Sequence, residues 1–257
     1  MMFYQKPTLL DRNIHRNARV KMSGGDFTFA RKTNSVPLLA VEFPRAALDC
    51  PIVFAGSDMN NLLPAALLGL HTDENLFVNQ SGSWAGGYIP AFIRRYPFVL
   101  AEKPASRGEY SVCIDTAYPG WENPDGTALF DASGAEAPLL KEALTFLSQY
   151  QNNVVPTQNF IKKLVELELL IPREIRSRDA GNKYLSLRGS YVVEEARIAK
   201  LSDAQILELC RTGGMGLIHA HLLSLGNLTK LERSMLAAFA PAGAAAPAEA
   251  AASASGV

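Results

Sequence analysis

The sequence predicts an α+β fold, with a β-rich N-terminal half packed against a helical C-terminal half. Residues 34–115 hold short apolar runs such as VPLLAVEF, CPIVFAG and YSVCID, bounded by Pro, Gly, Asn or Asp. Runs of that length, rich in Val, Ile, Leu and Phe, read as buried strands. Beyond Pro138 the apolar residues recur instead at the spacing of one helix face, and residues 240–257 are almost wholly Ala, Pro, Gly and Ser. Residues 1–239 are accordingly expected to form one α+β domain, and 240–257 a disordered tail with no large apolar side chain to dock.

Taken in order, residues 1–35 read as an irregular polar lead with a turn at Gly24-Gly25. Strands are expected near 36–43, 51–55, 65–70, 75–79 and 110–115. Segment 89–95 (IPAFIRR) predicts a short helix, since Pro90 suits a first helical turn, and the following YPFVL returns to strand. Turn formers crowd 118–138, with Pro-Asp-Gly at 124–126, and predict a long loop or small hairpin. Leu140, Leu144, Leu147 and Tyr150 mark one helix over 139–151; Phe160, Ile161, Leu164 and Leu167 mark another over 157–169, with Thr157 as its N-cap. Alternation about Gly189 suggests a β-hairpin over 182–194. Ser202 and Gln205 form a capping box ahead of two or three closing helices.

Composition narrows the function classes. The 25 basic and 25 acidic side chains balance, so no net field favours nucleic acid or an anionic membrane. No segment reaches the roughly 20 apolar residues of a membrane span. Lys6, Pro7, Asp11 and Arg12 interrupt the N-terminus where a secretory signal needs an apolar core. The expected location is therefore the cytoplasm, with surface association only through unconventional export. Cys50, Cys113 and Cys210 are widely spaced among apolar neighbours and are expected to be buried and unpaired.

The segments ARKTNSVPLLAVEF (30–43), PIVFA (51–55), ALLGLHTDENLF (66–77), GYIPAFIRRYPFVLAE (87–102) and HAHLLSLGNLTKL (219–231) together resemble the SapC family of bacterial proteins. The resemblance runs from about His15 to Leu231. It implies a surface-layer or nutrient-uptake context and supplies no catalytic residue set to carry over.

The residues themselves offer one candidate site. Arg94 and Arg95 sit inside an apolar, aromatic segment, where an unpaired guanidinium is costly. They either pair with Glu42, Asp115 or Glu102, or hold a carboxylate or phosphate by bidentate hydrogen bonding. Trp84, Tyr88, Phe92 and Tyr96 would wall such a ligand site, and Trp84 or Trp121 could stack on a sugar. His219 and His221 lie about 200° apart on a helix, which disfavours a shared metal, with one expected buried and the other nearer solvent. No phosphate loop, dinucleotide fingerprint or catalytic motif occurs, so no cofactor or metal is expected. The chain is thus expected to be a non-catalytic accessory or binding protein for a protein partner or a small anionic or sugar ligand. The alternative is an enzyme or ligand-processing protein with its site around Arg94 and Arg95.

Overall fold

The computed structural model describes residues 2–22, 24–103, 106–178, 184–187 and 189–239. Strands β1 (Pro7–Leu9), β2 (Arg19–Val20) and β3 (Ser35–Pro37) lead to a 3-10 turn at Ala40–Glu42 and helix α1 (Phe43–Ala46). Next come β4 (Ile52–Ala55), β5 (Leu63–Leu67), α2 (Ala91–Arg94), β6 (Phe98–Lys103), β7 (Ser106–Asp115) and β8 (Thr127–Ala128). The second half holds α3 (Pro138–Asn152), α4 (Val154–Glu166), β9 (Leu170–Pro172), β10 (Ile175–Arg178), β11 (Tyr184–Leu187) and β12 (Ser190–Val193). Helices α5 (Glu195–Ile198), α6 (Asp203–Arg211), α7 (Gly214–Ser224) and α8 (Asn227–Phe239) close the described chain. The expected mixed α+β architecture is present.

A five-stranded antiparallel sheet, in the order β3-β5-β4-β12-β9, forms the centre. Its strand β4 sends Ile52 and Phe54 into the main core and Val53 into a second cluster with Leu231 and Met235 of α8. Phe54 meets Phe43 and Phe160 at 6.3 and 6.4 Å between ring centres. Burial of both faces explains why PIVFA is continuously apolar rather than alternating. A second sheet, β1-β7-β6, joins the N-terminus to the strands that follow α2. Its pairing sets Lys6 and Gln5 against Asp115, beside the register Pro7↔Asp115.

Several local expectations fail for identifiable reasons. The strand expected over 36–43 stops at Pro37 because the Glu42 carboxylate turns back to accept the Leu39 N–H (2.8 Å), and Pro44 then starts α1. Segment 75–79 forms turns rather than a strand: the Asn75 side chain bonds the Ala30 carbonyl and the Phe77 N–H, leaving only an isolated bridge from Val78 to Trp84. Thr157 lies inside α4, where its hydroxyl donates to Asn153 O and accepts the Ala40 N–H, so it fastens the helix to the first half instead of capping it. The hairpin expected over 182–194 divides between sheets, because β11 pairs with β10 while β12 inserts between β4 and β9; residues 182, 183 and 188 lie outside the described residues.

Cys210 is exposed, since it falls on the outer side of α6, whereas Cys50 and Cys113 are buried. Other readings hold. The Ser202–Gln205 capping box is present, the short helix follows Pro90, and 118–138 is mainly loop with the two-residue β8. His221 is buried and His219 exposed on α7. The tail over 240–257 lies outside the described residues.

Candidate functional site

Helix α2 is only four residues long, far too short to hold itself together in water, so its position depends on neighbours. The Glu42 carboxylate, buried at 5 % exposure, provides the first anchor. One oxygen accepts the Ala91 N–H and the Tyr88 hydroxyl, each at 2.7 Å, while the other accepts the Leu39 N–H. All three donors go to a single anion, which satisfies its charge without an arginine.

The two arginines anchor α2 on its other side, against α3. Arg94 donates from Nε to Ile89 O (3.0 Å), and its guanidinium lies 5.0 Å from the Phe146 ring centre and 5.9 Å from that of Tyr88. Arg95 donates from Nε to the Tyr4 hydroxyl (3.2 Å) and lies 3.9 Å from the Phe92 ring centre and 5.0 Å from that of Tyr150. Phe146 and Tyr150 are four residues apart, so they form two shelves about 6 Å apart along one face of α3. Each shelf carries one guanidinium. Arg stacks on aromatic faces because the planar cation meets the negative ring face and is only weakly hydrated.

No ion pair joins Arg94 or Arg95 to Glu42, Asp115 or Glu102 among the described residues. Asp115, fully buried, is instead met by the N–H groups of Gln5, Lys6 and Ala117 and by the Tyr96 hydroxyl. The structural pairing considered from sequence is therefore absent. Its place is taken by stacking, the Ile89 carbonyl and the Tyr4 hydroxyl. The Nη atoms of Arg95 have no hydrogen-bond partner among the described residues and are not buried.

Burial and anionic neighbours keep the surrounding phenols protonated. Desolvation pushes Tyr88 up, followed by the Glu42 charge, against an opposing contribution from Arg94. Desolvation likewise raises Tyr96, with Asp115 adding to it. Burial takes Tyr4 to about 12 even though Arg95 pulls the other way. These tyrosines thus act as hydrogen-bond donors at neutral pH, not as bases.

The remaining sequence-chosen residues play different parts. Trp84 donates from Nε1 to Tyr88 O (2.9 Å) and stacks on Phe77 at 5.3 Å, so it supports the loop before α2. Tyr96 is buried in an aromatic block with Phe3, Tyr4, Phe29 and Tyr118. Of the residues chosen from sequence, Tyr88, Phe92 and the two arginines come together at the α2–α3 contact. Sequence reasoning missed Tyr4, Phe146 and Tyr150 as its walls. The four-residue spacing of Phe146 and Tyr150 was visible, but the return of Tyr4 to Arg95 across 91 positions was not.

This arrangement defines an α+β protein with a cationic, aromatic-lined face between a short and a long helix. The family model for SapC matches residues 10–231, and the chain belongs to the SapC family. No curated protein and no solved structure matches it. Among the described residues, no helix is long and apolar enough to cross a membrane, and no three His, Cys, Asp or Glu side chains converge as a metal site.

Proposed function

We propose that this protein is a non-catalytic accessory or binding protein, working in the surface-layer or nutrient-uptake setting that its family implies, and that the α2–α3 face holds an anionic group of its ligand or partner. The carrying observation is the pair of guanidiniums laid on Phe92, Tyr150 and Phe146 with no carboxylate to neutralise them. Stacking fixes each fork in advance, which lowers the ordering cost of binding a carboxylate or phosphate. Thermal unfolding of the full chain with citrate, pyrophosphate or neutral maltotriose tests the reading, because a ligand of the folded state raises its melting temperature by mass action. Stabilisation by an anion, absent in Arg94→Ala and Arg95→Ala, supports it. Stabilisation by an anion that survives both substitutions, or none from either anion, removes it.

A second reading, a ligand-processing enzyme, is favoured by one observation. Tyr88 bridges the Glu42 carboxylate and the Arg94 guanidinium, a polar chain through which a phenol could orient a reacting group. In that case Tyr88→Phe would abolish turnover of a bound ligand while leaving its affinity within a few-fold.

A further inference from the structure

A second hollow lies away from the arginine face, between the N-terminal loop and the turn that follows β7. It has a volume of about 540 Å³ and is lined by residues including His15, Asn17, Thr116, Trp121 and Glu122. That volume falls within the ordinary range for small-ligand sites. Trp121, beside Tyr118, supplies its aromatic surface. The indole N–H is committed to Asp115 O at 2.6 Å, and Phe98 and Tyr118 meet the ring system only at 84° and 87°. The indole is thereby fixed in orientation, and no parallel ring stacks on it among the described residues. Trp84 differs in this respect, since Phe77 lies nearly parallel to it at 20°.

His15, Asn17 and Glu122 line the same hollow as this indole, with Thr116 beside them. His15 Nδ1 lies 3.0 Å from both the N–H and the carbonyl oxygen of Asp11, which fixes the ring and leaves Nε2 to donate or accept according to the tautomer. The Asn17 amide offers both donors and an acceptor, the Glu122 carboxylate offers acceptors, and neither side chain has a hydrogen-bond partner among the described residues. Glu122 also holds φ at +56°, a left-handed conformation that few non-glycine residues adopt. Neither Lys nor Arg lines the hollow, so it lacks the cationic character of the α2–α3 face.

A rigid indole surrounded by mixed donors and acceptors, without a cation, matches a ring that has one apolar face and a rim of hydroxyl groups. We infer that this hollow binds a neutral or amino pyranose, the C–H face lying on Trp121 and the hydroxyls meeting His15, Asn17 and Glu122. Two features separate it from the anion reading above. It uses none of the same residues, and its ligand carries no negative charge.

The chain has two tryptophans, so biosynthetic 5-fluorotryptophan gives two fluorine resonances, assigned with a Trp84→Phe sample. The full-length protein is titrated with chitotriose, cellotriose and maltotriose. The expected result is a saturable shift of the Trp121 resonance by at least one of them while the Trp84 resonance stays in place. Asn17→Ala and Glu122→Gln, whose side chains support no internal hydrogen bond, should each weaken that binding about tenfold, the loss of roughly one good hydrogen bond. Melting temperatures of these variants should be unchanged. A Trp121 resonance unmoved by all three sugars, a shift of the Trp84 resonance alone, or binding that both variants retain would overturn the inference.

Discussion

Arg95 lies 3.9 Å above the centre of the Phe92 ring, three residues away in sequence, and within hydrogen-bond distance of Tyr4, 91 positions earlier. The contact replaces a salt bridge with a π face, leaving a guanidinium with no carboxylate at ion-pair distance among the described residues. If it serves recognition, charge alone should not substitute for shape. Arg95→Lys keeps the charge but loses the planar fork, so its anion affinity should fall nearly as far as that of Arg95→Ala, about tenfold or more. Stability should fall by only about 0.5–1 kcal/mol, the size of an accessible cation–π contact. Titration calorimetry with pyrophosphate and urea denaturation separate the two effects.

Glu42 is the keystone of the α2 approach, and substitution there should damage the fold more than either arginine change. Glu42→Gln places an amide N–H₂ against existing donors and should cost about 1–3 kcal/mol, while Tyr88→Phe removes one partner and should cost about 1 kcal/mol. A double-mutant cycle should show coupling between them. Independent, additive losses in denaturant would contradict the shared hydrogen bond.

His221 should make the protein acid-sensitive. Its Nε2 accepts the Val193 N–H at 3.0 Å, and burial lowers its pKa from 6.5 to about 4, despite an opposing backbone contact with Ile52. The unfolded chain therefore binds a proton that the folded chain refuses. Stability contributed by neutral His221 is complete above pH 6.5 and is lost as pH falls towards about 4, up to about 3 kcal/mol in all. Urea unfolding across that window should show this slope in wild type and a flatter one in His221→Gln, where no group titrates.

Helix α4 ends with Leu169 N–H on Leu164 O and Glu168 N–H on Val165 O, while Glu168 sits at φ +52°. Those paired bonds form a Schellman motif, whose left-handed position favours glycine. Glu168→Gly should stabilise the chain by about 0.5–1 kcal/mol, the relief of left-handed strain less the added freedom of the unfolded state. A lower melting temperature would show that the exposed glutamate makes a contribution larger than this strain.

Thiol reactivity should divide along burial. Cys50 is buried and pushed up to about 12 by desolvation and by Asp49, so its thiolate is scarce at neutral pH. Native protein treated with iodoacetamide should be alkylated at Cys210, with Cys50 and Cys113 reacting only after unfolding. Peptide mass mapping reads the pattern directly.

Local chemistry made much of this protein legible in one dimension. Ser202 and Gln205 announced a helix start, Pro90 a short helix, and the four- and three-residue spacings of Leu140, Leu144 and Leu147 the face of α3, because each signal acts between neighbours. The same neighbourliness made PIVFA a strand. What failed depended on distant partners. Thr157 looked like a cap until Ala40 supplied the N–H that its hydroxyl accepts, and the segment around Gly189 looked like a hairpin until β4 and β9 claimed its second half. Sequence alone established that Arg94 and Arg95 stand among aromatic residues. Only the tertiary structure decided that Glu42 and Asp115 would give their oxygens to backbone N–H groups and tyrosine hydroxyls, leaving the arginines to Phe92, Phe146 and Tyr150. A carboxylate takes whichever donors the fold brings within about 3 Å, and that distance is set by packing across the whole chain, not by the order of residues along it.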